Sequence, residues 1–417
     1  MYYLLFIIYL LLICFVITRV TFIKNAGLSH KIVITLFLIK VAAGLFCGWI
    51  SEHYYPQGND YWNMNTHAGE EYQVLIHDPR GFFLNIFNSP YADHYGGFFN
   101  SIGSYWKDLA NNVIIKVLAI CNILTGGNYY INSLFFNFFV FFGHIALFRI
   151  FKNMYKGKNW PLILSCFLLP STLYFTSGLH KDGIIFTMLS LFSFSLYFSL
   201  VHKCNRRYIL MIAISLLSII LIRSYVFIAL IPAAIAMLFA FKTKKILKSF
   251  VFVYLAVIGI IILTAFISPV SNPLHIIVNK QRDFLSLPVA TSQIDMDTLQ
   301  PRLSNFVKNF PAALEHIFLR PYVWEFKNPF LILHGIELLL YQLLFIYMLI
   351  IVRRSGHINN AFIYYGMLLS LTLLIFIGYI VPNAGSLMRY RSIYLPFLIT
   401  PILCSINIYI NKKHIKL

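Results

Sequence analysis

Apolar runs long enough to cross a lipid bilayer recur from one end of this chain to the other, and no other feature constrains its fold as strongly. A hydrocarbon core about 30 Å thick takes roughly 20 helical residues to cross. Runs of about that length occupy 2–19, 31–50, 128–150, 160–176, 183–201, 208–223, 225–241, 249–267, 330–352, 360–381 and 393–411. They are too long and continuous for barrel strands, so helices must satisfy the backbone within the membrane. With 59% of its 417 residues hydrophobic and only 11% charged, the chain carries more apolar surface than a soluble domain buries. The expected fold class is all-α. It is a polytopic transmembrane helical bundle of about eleven spans, a single integral membrane domain over 1–417 with two larger extracytoplasmic segments, 51–127 and 268–329.

The first run has the position of a signal peptide but lacks a basic n-region and a small-residue cleavage site, so it reads as a retained helix, Tyr2 to Thr18. Orientation follows from the basic residues. Alternate connections hold Arg19, Lys24 and Lys31; Arg149, Lys152, Lys156 and Lys158; Lys203, Arg206 and Arg207; Lys242, Lys244, Lys245 and Lys248; Arg353 and Arg354; and Lys412, Lys413 and Lys416, without one Asp or Glu among them. That face is expected in the cytoplasm, which places the N-terminus outside and the C-terminus inside. All 14 acids then fall on the other face or just within its helix ends, while Lys40 lies inside the second span. The net charge of +19 is thus a topology signal. No basic soluble domain with interleaved aromatics exists to bind nucleic acid. The six cysteines are scattered singly, without metal-type spacing; a divalent-cation requirement is left open.

The segment 51–127 holds half of the acids together with many aromatics, among them Tyr54, Tyr55, Tyr61, Trp62, Tyr91, Tyr95, Tyr105 and Trp106. This mixture suits an interfacial cap with rings at headgroup depth. Within it, residues 58–76 read as a short helix begun at Asn59 or Asp60, on which Asp60, Met64, His67 and Glu71 share one face. Asp60 and Glu71 would stand about 16 Å apart along that axis and cannot serve one reacting atom. Asp60 reads either as a helix N-cap or as a working carboxylate, and Glu70 and Glu71 as a solvated face or as ligands.

Two spans meet at 170–186, where the turn carries His180, Lys181 and Asp182. Lys181 suits snorkelling and Asp182 a cap, unless the three form part of a site. Arg223 interrupts two apolar runs with only a tight turn between them, so its guanidinium is expected to face the protein interior or a headgroup. Arg389 and Arg391 near the start of the last span are either interface anchors or a phosphate fork. The segment 268–329 is expected to form amphipathic helices over the bundle, a plausible lid.

Taken together, the stretches GNDYW (58–62), SGLHKDGIIF (177–186) and MRYRSIYLPF (388–397) resemble the GT-C superfamily of membrane glycosyltransferases. Polysaccharide polymerases of the Wzy and EpsG type share that architecture. The resemblance implies transfer of a sugar or glycan from a polyprenyl-phosphate or polyprenyl-diphosphate carrier to a glycan, lipid or protein acceptor on the outer face of a bacterial inner membrane. Asp60 matches the catalytic acid of the first loop, with Glu71, His180, Lys181, Asp182, Arg223, Arg389 and Arg391 as substrate-binding groups. An extra span precedes the acidic segment here. The alternatives are a repeat-unit polymerase led by the arginines and a flippase for lipid-linked glycans. Against the flippase, the polar residues gather at one side instead of deep within the spans.

Overall fold

The computed structural model describes residues 2–55, 59–88, 104–202, 204–267, 272–325, 327–352 and 360–414, without the side chains of 265, 267, 351, 352 and 407–414. Gly58, Tyr91, Asp93, Tyr95, Lys203, Arg353, Arg354 and Lys416, all used in the sequence reading, lie outside the described residues, as do the side chains of Lys412 and Lys413. Among the described residues every regular element is a helix; a lone bridge joins Gln293 and Asn383. The chain divides into two compact units, Met1–Gly157 with Cys166–Ser224, and Lys158–Ser165 with Tyr225–Leu417.

In chain order the first helices are α1 (Tyr2–Arg19), α2 (Thr21–Lys24), α3 (His30–His53), α4 (Asp60–His77), α5 (Pro79–Leu84), α6 (Tyr105–Thr125), α7 (Tyr129–Met154), α8 (Asn159–Phe167), α9 (Pro170–Ser177), α10 (Lys181–Val201) and α11 (Arg206–Ile222). They are followed by α12 (Ser224–Thr243), α13 (Ile246–Ile267), α14 (Leu274–Leu285), α15 (Leu303–Phe318), α16 (Pro329–Val352), α17 (Ala361–Ile380), α18 (Ala384–Ser392) and α19 (Leu395–His414). Nine of the described helices are long and apolar enough to cross a membrane, or ten if α8 and α9, broken at 168–169, count as one span. This is a membrane protein, all-helical among the described residues. The run 208–223 forms the 17-residue α11, and the run 393–411 lies in α19, whose side chains are described only as far as Ile406. By the same test of length and composition α6, read from sequence as part of a polar segment, is also apolar enough.

α6 is the least apolar of these nine helices and is built inside out. Asn112, Lys116, Asn122 and Thr125 are buried, while Val117, Ile120, Ile123 and Leu124 point outward. An exposed apolar face of this kind is stable against lipid and not against water. The inward polar groups bind α4, which runs antiparallel to α6. Asn122 donates to the Ala68 carbonyl at 3.0 Å, Asn132 bridges Asn65 and Asn122, and Lys116 forms a buried ion pair with Glu71 at 2.8 Å. At one end of α6 the Trp106 indole donates to the Ile220 carbonyl, near the C-terminus of α11. At the other end the Leu124 carbonyl accepts from Tyr9 of α1.

The remaining helices of this unit pack as α3, α7 and α9 on one side and α7, α10 and α11 on the other. In the second unit the amphipathic α14 and α15 lie against the C-terminal end of α17, as expected for 268–329. The Gln281 amide donates to the Tyr379 carbonyl, and the Tyr379 hydroxyl donates to the Phe306 carbonyl at 2.7 Å. The outward apolar side chains of α13, such as Phe252, Leu255, Ile260 and Phe266, make the same demand for lipid.

Candidate functional site

Asn59 caps α4: its side chain accepts from the Trp62 amide and donates to the Ser51 carbonyl. Asp60 is therefore the first helical residue and not the cap. Its carboxylate lies in the first turn, where the helix dipole favours negative charge, and is 56% exposed. The two aromatics that follow hold it in place. The Trp62 indole donates to the Gly48 carbonyl and its ring stacks on Tyr129 at 4.2 Å. Tyr61 packs on Gly178, where a methyl group would collide with the Tyr61 ring and with Cys47 Sγ.

Gly178 opens the turn that carries His180, and this packing brings the turn beneath Asp60. His180 Nε2 stands 3.7 Å from Asp60 Oδ2, beyond hydrogen-bond length. Its Nδ1 lies 2.9 Å from Asp182 Oδ2. A carboxylate only accepts, so Nδ1 carries the proton and Nε2 is the nitrogen turned toward Asp60. Asp182 is completely buried, and its other oxygen accepts from the Arg223 guanidinium. Arg223 reaches it because α11 ends at this residue: its backbone leaves the helical region while its amide still bonds the Ile219 carbonyl. A buried carboxylate needs such a partner, since the desolvation penalty is several kcal/mol. Below the turn, Lys40 Nζ donates to Thr176 Oγ1 and Ser177 Oγ at 3.1 and 3.0 Å and so fixes the last turn of α9.

Lys181 begins α10 and shares this neighbourhood with Arg223, Lys107, Asp60 and Asp182. Lys107 was assigned no role from sequence; it projects from the first turn of α6, capped by Ser104. Three cations therefore face two carboxylates around one exposed acid, an arrangement suited to a proton acceptor beside an anionic group.

Glu71 is placed elsewhere. The solvated-face expectation for it fails, because it is 3% exposed and paired with Lys116, whose ammonium also donates to the Phe82 carbonyl at 2.7 Å and sits over that ring. Its contacts hold α4 to α6.

Arg389 and Arg391 belong to the second unit. Arg391 is 5% exposed and donates to the Ile317 and Arg320 carbonyls, closing the C-terminal end of α15. Burial draws its guanidinium down to about 10, against the opposing field of Glu337 and Tyr341. Its role as a phosphate fork or a surface anchor has no support in these contacts. Arg389 is half-buried in α18.

The same unit contains a cavity of about 260 Å³ lined by α14, the irregular stretch 295–299, α15 and the end of α17. Among the described residues no three His, Cys, Asp or Glu side chains group as a metal site. No family model, curated protein or solved structure matches the chain.

Proposed function

We propose that the protein is a membrane glycosyltransferase that uses a polyprenyl-phosphate or polyprenyl-diphosphate donor on the extracytoplasmic face. The observation that carries this reading is the exposed Asp60 carboxylate opposite an imidazole whose far nitrogen is held by a buried, arginine-paired aspartate. In the reaction the acceptor hydroxyl oxygen forms a bond to the anomeric carbon of the donor. The bond from that carbon to the carrier phosphate breaks, and its electron pair leaves on the phosphate oxygen. The hydroxyl proton passes to Asp60, with His180 Nε2 next to it as a second acceptor. Lys181 and Lys107 supply the positive charge that favours the departing phosphate. The acid-free set of basic connections supports the outward orientation.

The same observation favours this reading over the arginine-led polymerase, whose Arg391 is spent on backbone carbonyls. The deciding experiment is Asp60→Asn in purified protein assayed with a polyprenyl-linked sugar donor. Asn keeps the size and removes the proton affinity, so turnover should fall ~10²–10⁴-fold with donor binding kept. Full activity in this variant would reject the base role.

A further inference from the structure

The cavity of the second unit has features that the glycosyl-transfer chemistry at Asp60 does not use. Its lining sets three carboxylates, Asp295, Asp297 and Glu315, against one guanidinium, Arg320. That guanidinium is already committed: Nε bonds Glu315 at 3.0 Å and an NH1 nitrogen bonds Glu325 at 3.0 Å. An anionic ligand entering here would meet a surplus of like charge with its one counter-ion engaged.

One buried polar group is left facing the cavity. His316 is 5% exposed and lines it. Its Nδ1 bonds the Gly378 carbonyl at 3.4 Å, so Nδ1 carries the proton, and Nε2 takes no hydrogen bond among the described residues. Burial, with Arg320 adding to it, keeps this imidazole below the ordinary histidine range, while the Gly378 bond, Glu315 and Glu325 oppose the shift. At neutral pH Nε2 is thus an acceptor for a hydroxyl. Asn309 adds an amide with both donor and acceptor character, and Tyr379, whose hydroxyl is tied to Phe306, leaves its ring as an apolar wall. Carboxylates, an amide, a neutral imidazole and an aromatic face are what a ring bearing hydroxyls on its edge and C–H groups on its face requires.

We propose that this cavity binds one sugar ring that carries no acidic group, through Asp295, Asp297, Asn309 and His316 Nε2. The choice of a sugar rests on the glycosyl-transfer reading; the exclusion of anions rests on the lining alone. Neutral and amino sugars satisfy the same groups, the latter with added attraction to the carboxylates.

The test uses full-length protein in nanodiscs free of sugar-based detergent. Saturation-transfer NMR would be recorded with methyl hexopyranosides, 2-amino-2-deoxyhexoses and hexuronates. At least one neutral or amino sugar should give transfer, with the matching uronate at least about tenfold weaker. Asn309→Ala and Asp297→Asn, each checked for an unchanged melting temperature, should weaken it about 3–10-fold, the scale of one lost hydrogen bond. Equal binding of uronates, no binding by any of the sugars, or unchanged binding in both variants would overturn the proposal. A transferase assay on the same samples separates the two ideas. Sugar binding without any transfer would reject the glycosyltransferase reading and leave the cavity assignment, and transfer without sugar binding at this cavity would do the reverse.

Discussion

Asp182 has the most at stake of any single residue. It joins the His180 imidazole to the Arg223 guanidinium with no exposure to solvent. Asp182→Asn leaves that guanidinium buried without its counter-charge, a loss that typically costs about 3–5 kcal/mol. It also frees the imidazole to change tautomer. The variant should melt earlier, and the fraction that folds should lose activity. Restoring stability by a second change, Arg223→Met, should not restore turnover if His180 has to be oriented; recovery of both would make the cluster purely structural. His316 offers a different measurement. Its folded proton affinity is held below the ordinary value by burial, with Arg320 adding to the effect and Glu315 and Glu325 opposing it. As pH falls through about 6.5, the unfolded chain takes up a proton there that the folded chain refuses, so stability drops. Melting temperature should fall between pH 7.5 and 5.5, and by less in His316→Gln; an identical slope in the variant would show that this group does not contribute.

At the scale of elements, the α4–α6 pair shows how a polar segment is buried among helices. Lys116 and Glu71 form an ion pair between the two helices, buried on both sides, and they are flanked by the Asn65, Asn122 and Asn132 hydrogen bonds. Glu71→Ala should destabilise the protein by about 3–5 kcal/mol because it strands a buried ammonium, whereas Glu71→Leu with Lys116→Met should recover most of the loss. Denaturation of the two variants side by side gives the answer. A double variant as unstable as the single one would mean that the packing, and not the charge pair, sets the stability. α6 also shows how an apolar face can sit inside a segment that reads as polar. Hydropathy averages over a window, and the Lys and Asn residues of α6 lower that average although they point at α4. Amphipathic helices in 268–329 were expected because the segment is long but too weakly apolar for spans; which faces α14 and α15 pack only the structure shows.

For the whole molecule, the expected topology is checked by reporter fusions after 28, 156, 205, 245, 355 and 415, which should read as cytoplasmic, and at 90 and 300, which should read as outside. A cytoplasmic signal at 90 would place Asp60 on the wrong side for a lipid-linked donor and end the mechanistic proposal. The sequence by itself determined that the chain is helical and needs a membrane, because backbone hydrogen bonding in lipid leaves apolar runs of this length no other form. It also identified the tips that carry charge. Only the tertiary structure decided which charges meet. Asp60, the His180–Asp182 turn and Arg223 come from three separate elements, and their meeting depends on the close approach of Tyr61 to Gly178 and on the end of α11 at Arg223. Likewise Glu71 and Arg391 were indistinguishable from ligand-binding residues until their partners, Lys116 and the end of α15, were in view. A charge at a helix end has the same sequence signature whether it faces a substrate or a neighbouring helix, and burial alone separates the two.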